Sequence, residues 1–130
     1  MKKKLLKKQN KEALSISNGK YRILFKNIPN NIFFKDLDSI YVICNKNFAN
    51  EFGISIDDFP GKTDFDLFPK ELAKKYREDD RRIINNRLTL EYTEKYVKNG
   101  KEYIANTIKT AVVNEDNEVI GIIGLYRDVT

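Results

Sequence analysis

Apolar positions along the chain follow two rhythms, and turn-forming residues separate them. Tyr21, Leu24, Phe25 and Ile28 recur at i, i+3, i+4 and i+7, the spacing of one helix face. Ser17-Asn18-Gly19 supplies capping residues before them, and Pro29-Asn30-Asn31 stops the helix. Leu14 lies seven residues before Tyr21, which is too few heptads to define a coiled coil. Ile32-Phe33-Phe34-Lys35-Asp36 then reads as a strand, Leu37-Asp38-Ser39 as a turn, and residues 40–44 as the returning strand of a hairpin. Asn45 can cap a helix over 46–52, which Gly53 ends. Residues 55–59 form a short turn or helix closed by Pro60-Gly61, and 63–68 a short irregular piece.

Pro69 suits the first turn of a longer helix reaching about residue 86. Its inner face is expected to carry Leu72, Ala73, Tyr76, Ile83 and Ile84, with Asp79-Asp80-Arg81-Arg82 interrupting the stripe. Residues 90–97 alternate as a strand, Asn99-Gly100 is a hairpin turn, and 102–113 form the next strand. Asn114-Glu115-Asp116-Asn117 turns the chain into a last strand over 118–128. Alternation puts Ile122, Gly124 and Tyr126 on one face of it and Ile123, Leu125 and Arg127 on the other. Both faces are apolar, so both should be covered. Strands at both ends of a helical middle predict an α+β domain, an antiparallel sheet with helices on one face.

Charge changes the picture at one end. The net charge is +5, yet residues 1–20 hold seven lysines against one glutamate, and 21–130 hold 17 basic and 18 acidic residues. The chain therefore divides into a basic tail or helix extension, 1–20, and a near-neutral domain, 21–130, which argues against nucleic acid as the partner of the fold itself. The tail's lysines (Lys2, Lys3, Lys4, Lys7, Lys8, Lys11) fit a solubilising stretch, an anionic membrane surface or phosphates equally. No apolar run approaches the roughly 20 residues of a membrane helix, and the N-terminus lacks a signal peptide's apolar core, so a cytoplasmic location is expected. Any membrane anchor would lie elsewhere in a parent protein. With no histidine and a single cysteine, Cys44, inside an apolar strand, histidine-ligated zinc and haem and histidine-activated nucleophiles are excluded. Asp64, Asp66, Glu71, Asp79 and Asp80 sit in turns or on the helix, where solvated charges and caps are expected, and no phosphate-binding loop is present, so an enzyme is not expected.

The order of elements, with particular residues in it, resembles the PAS domain family of sensory modules over 21–130. The carriers are Tyr21-Arg22-Ile23-Leu24-Phe25-Lys26-Asn27-Ile28-Pro29, Asn45-Lys46-Asn47-Phe48-Ala49 and Gly61-Lys62-Thr63-Asp64-Phe65-Asp66-Leu67-Phe68-Pro69. Tyr76-Arg77-Glu78-Asp79-Asp80, Asn99-Gly100-Lys101 and residues 121–130 complete them. The resemblance implies a five-stranded antiparallel sheet with helices on one face and a cavity between. It also implies output through the closing Asp-x-Thr, matched by Asp128 and Thr130, into a downstream coiled coil, effector domain or partner signalling protein. A side-chain oxygen at such a strand-to-helix junction can cap the helix and fix its exit angle.

Family cofactors find little support. Flavin photosensors of this family place a cysteine after Gly-x-Asn, where this chain has Gly61-Lys62-Thr63-Asp64, and haem sensors commonly use histidine. No cofactor is expected, and a non-covalent small molecule stays open. Pocket candidates are Phe33, Ile43, Thr107, Lys109, Gly124 and Tyr126. Lys109 is the cation among them. Pointing inward, it needs an anionic partner or ligand, such as a carboxylate; pointing outward, it is a strand lysine with its stem on the sheet. A homodimer is expected through Tyr21, Leu24, Phe25 and Ile28 with Ile123 and Leu125 of the outer sheet face. The functional expectation is the sensory or dimerisation domain of a histidine kinase or cyclic-dinucleotide enzyme. The alternative is a stand-alone protein-interaction module with a side-chain-filled core.

Overall fold

In the computed structural model, residues 29–98 and 100–130 are described. The predicted helix at Tyr21, Leu24, Phe25 and Ile28 and the basic tail lie outside them, and so does the helix half of the dimer surface. Strands β1 (Asn31–Asp36) and β2 (Tyr41–Cys44) form the first hairpin. Helices α1 (Lys46–Glu51), α2 (Asp64–Leu67) and α3 (Lys70–Asn86) follow, then β3 (Thr89–Lys98), β4 (Lys101–Val113) and β5 (Val119–Asp128). The sheet order is β2-β1-β5-β4-β3, antiparallel throughout. The last strand thus enters the middle of the sheet, between the first hairpin and β4. Helix α1 packs on β1, and α3 on β4 and β5. No helix among the described residues is long and apolar enough to cross a membrane.

The helix ends follow their capping residues. Asn45 accepts a hydrogen bond from Phe48 N at 3.0 Å to start α1, and its side chain also ties β1 through Ile32 N and Asn30 O. Gly53, at φ 66°, ends that helix in the left-handed region. Residues 64–67 are a one-turn helix rather than an irregular piece, because Thr63 and Asp66 form a reciprocal capping box. Pro69 stands at the N-cap position of α3 without a side-chain hydrogen bond, and Arg87, at φ 52°, terminates the helix. The Arg87 guanidinium reaches Asn117 Oδ1 at 2.9 Å and its carbonyl at 2.8 Å, so the end of α3 is clamped to the β4–β5 turn.

Register fixes which side chains share the inner face. Lys109, Gly124, Phe33 and Cys44 form one row across β4, β5, β1 and β2. Thr107, Tyr126 and Asn31 form the next, and Ala111, Ile122 and Lys35 lie on the other side. Ile43 stands opposite Phe34, which pairs with Ile123, so Ile43 belongs to the outer face with Ile123 and Leu125.

Candidate functional site

Aromatic residues spaced along β1, β2, α1 and the following loop meet beneath the helices. Phe48 is their hub, with ring centroids 5.0 Å from Phe33, 5.6 Å from Tyr41, 5.1 Å from Phe52, 5.2 Å from Phe59 and 6.0 Å from Tyr126. The rings tilt or meet edge-to-face, the arrangement their quadrupoles favour, worth about 0.5–1.5 kcal/mol a pair beyond burial. Phe52 continues the chain of rings to Phe68, and Phe68 to Tyr76 of α3. Between them and the sheet lies a cavity of about 500 Å³.

Four polar side chains on one side of the cavity are locked together. Lys35 is 1% exposed, and its Nζ lies 2.7 Å from Asp64 Oδ2 and 2.9 Å from Asp80 Oδ2. The Tyr41 hydroxyl donates to Asp64 Oδ1 at 2.6 Å. Burial, reinforced by the Asp64 charge, pushes the Tyr41 phenol well up, so it stays a donor. The ammonium also sits 5.2 Å from the Phe33 ring centroid and 5.0 Å from that of Tyr41. Asp80 Oδ1 has no hydrogen-bond partner among the described residues. This corrects the reading of Asp64 and Asp80 as solvated: position 80 continues the inner stripe of Ala73, Tyr76 and Ile83, and its charge is met by Lys35. The sequence reading missed Lys35. Its signal was the shared parity with Phe33 in an apolar strand.

Lys109 faces inward and is 4% exposed. Its Nζ stands 4.3 Å over the Tyr76 ring centroid and makes no hydrogen bond or ion pair among the described residues. Burial, and then the nearby Lys35 charge, hold the ammonium below its usual pKa; Asp80, Asp64 and Asp79 partly offset this. Thr107 is buried one row away, and Tyr76 and Tyr92 line the same cavity; each of the three carries a hydroxyl. None of the three has a hydrogen-bond partner among the described residues. Burial pushes both phenols up, and the Glu94 charge adds to this, so they too remain donors. An ammonium and several hydroxyls around an aromatic-walled cavity can bind an anionic group and enclose an apolar one.

Of the predicted pocket residues, Phe33, Thr107, Lys109 and Tyr126 line the cavity. Ile43 does not, for the reason of register given above. Gly124 lies in the right row but lines nothing itself: the Phe33 ring occupies its place, and a Cβ there would be 2.1 Å from Phe33 Cζ. Cys44 is buried behind the ring cluster, and burial pushes its thiol up to about 12. At the end of β5, Asp128 Oδ1 accepts from Thr130 N at 2.9 Å and from the Thr130 hydroxyl. These bonds hold the Asp128 carboxyl below its usual range. A side chain accepting from the N–H two residues on is what a helix N-cap does. Ile104 fixes the segment to β4, donating to Thr130 Oγ1 at 2.9 Å and accepting from Val129 N at 2.8 Å.

Comparison with known proteins places this geometry. A methanogenesis regulatory histidine kinase, FilI of Methanothrix harundinacea (strain 6Ac), is 24% identical over 119 residues, which are 92% of this chain and 13% of the relative. The chain therefore spans a small part of that protein's length. The PAS domain of Bordetella pertussis BvgS superposes with a TM-score of 0.75 at 22% identity, over 88% of this chain and 87% of that one. VqmA, solved as a dimer from Vibrio cholerae and also bound to DPO, gives TM-scores of 0.74 and 0.75. Both VqmA structures are 24% identical and cover 85% of this chain, and 51% and 57% of theirs. A family model for the PAS fold matches residues 25–130, and the protein belongs to that family.

Proposed function

We propose that this PAS domain is the sensory input of a signal-transduction protein, such as a histidine kinase, and that its cavity binds a small molecule carrying a carboxylate. Lys109 carries the reading: a buried ammonium with an aromatic face beneath it and no hydrogen bond or ion pair among the described residues is incomplete by itself. The histidine kinase relative supports the class of parent protein, and VqmA's binding of DPO supports a ligand in this fold. Native-condition mass spectrometry of the purified chain is expected to reveal a retained carboxylate. Lys109→Met is expected to lose it while leaving the ring cluster folded. Its affinity should also weaken with rising pH earlier than an ordinary lysine would dictate, because the lowered pKa of Lys109 discharges it sooner. That dependence should vanish in Lys109→Met. A chain that retains nothing and binds no carboxylate would favour the interaction-module reading.

Output runs through Asp128-Val129-Thr130, held to β4 in a capping geometry that a following helix can continue. Dimerisation uses the outer sheet face at Ile123 and Leu125 together with Tyr21, Leu24, Phe25 and Ile28; the VqmA dimer supports self-association of a protein with this fold. Light scattering at micromolar concentration should give twice the chain mass, and a monomer throughout would refute it.

A further inference from the structure

We infer that the cavity takes a small zwitterion, an ammonium carboxylate with an apolar body such as an apolar α-amino acid, with its carboxylate on Lys109 and its ammonium on Glu94. This rests on the reading of Lys109 as a carboxylate site and adds the opposite pole. Glu94 lines the same cavity from β3, half-buried, and its carboxylate has no hydrogen-bond or ion-pair partner among the described residues. Tyr76 lines the cavity with both charges. Its ring is under Lys109 Nζ at 4.3 Å, and Glu94 is the foremost charge acting on its hydroxyl. Lys109 and Glu94 thus open onto one cavity of about 500 Å³, in which a small molecule can meet both.

Charge balance points the same way. Among the charged residues lining the cavity, Lys35, Lys95 and Lys109 stand against Glu51, Asp64 and Glu94, so the lining is neutral as it stands. A simple carboxylate would add a net negative charge beside the unpaired Glu94, at a desolvation cost. A zwitterion adds no net charge and gives both lone groups a partner. Thr107 and Tyr92 supply further hydrogen-bonding groups, and the rings of Phe52 and Phe68 offer an apolar wall.

Calorimetry on the full chain tests this with two matched sets. One is L-phenylalanine, 3-phenylpropanoate and phenethylamine; the other is L-leucine, 4-methylpentanoate and isopentylamine. At least one amino acid should bind about tenfold or more tighter than both of its singly charged analogues, the scale of one charged hydrogen bond. Glu94→Gln should erase the advantage over the acid without weakening the acid, and Lys109→Met the advantage over the amine. An acid that binds as tightly as its amino acid, indifferent to Glu94→Gln, overturns the zwitterion and leaves the carboxylate reading standing. An amine that binds tightest and ignores Lys109→Met, or no binding by any of the six at millimolar concentration, overturns both.

Discussion

Lys35→Met should lower stability by about 3–5 kcal/mol, enough to unfold most of a marginal domain. The methionine fills nearly the same volume, so packing changes little. What changes is electrostatics: the ammonium 2.7 Å from Asp64 and 2.9 Å from Asp80 disappears, and two carboxylates, 3% and 0% exposed, are left facing each other without a cation between them. Tyr41 still donates to Asp64, but nothing replaces the bond to Asp80, whose other oxygen already lacks a partner among the described residues. Denaturant titration should show a midpoint shift with little change in slope. Adding Asp64→Asn and Asp80→Asn should recover most of the loss, because replacing all members of a buried charge set is far less damaging than removing one. A single variant within about 1 kcal/mol of the parent, the range of an exposed pair, would mean that these charges are solvated.

Gly124→Ala is expected to cost about 1–3 kcal/mol, the range for overpacking a filled core. The added methyl would sit 2.1 Å from Cζ of Phe33 and 2.6 Å from its neighbouring ring carbons. The ring cannot swing aside cheaply, since Tyr41 and Phe48 stand at 5.4 and 5.0 Å from it. In a Phe33→Leu background most of the penalty should disappear, and a double-mutant cycle reads this as coupling. Gly121→Ala provides the contrast. Its methyl would meet the Lys35 carbonyl at 2.1 Å, a backbone atom, so no side-chain replacement should rescue it. Equal penalties for Gly124→Ala with and without Phe33 would refute the ring-over-glycine account.

Much of this architecture is legible before any coordinates. Asn99-Gly100 and Asn114-Glu115-Asp116-Asn117 punctuate long alternating runs, so β3, β4 and β5 follow from turn chemistry and parity. Asn45 and Pro69 announce their helices for the same reason: each residue type satisfies or forgoes a particular backbone donor. Alternation grouped Tyr126 with Ile122 and Gly124, and the family resemblance turned that face to the cavity, which Tyr126 lines. Ile43 was misplaced because the hairpin register, not its hydrophobicity, decides its face. The ion cluster was the larger omission. A charge in an apolar pattern reads as an interruption, and its partners lie 29 and 45 residues away, beyond any local spacing rule. The clue was that Lys35 and Asp80 each keep the period of their element while breaking its polarity.

The central position of β5 has a mechanical consequence. Its backbone is bonded to β1 on one side and β4 on the other, and its last residues are fastened again at Ile104. A pull applied at Thr130 along the strand loads both ladders in shear, so many hydrogen bonds resist together. The edge strand β3 pairs within the sheet with β4 alone and can peel one bond at a time. The sheet is therefore stiff along the line through its C-terminal exit and compliant at its far edge. Displacements at the Phe33–Gly124 contact would be carried toward Thr130, while strain would be absorbed on the side of β3.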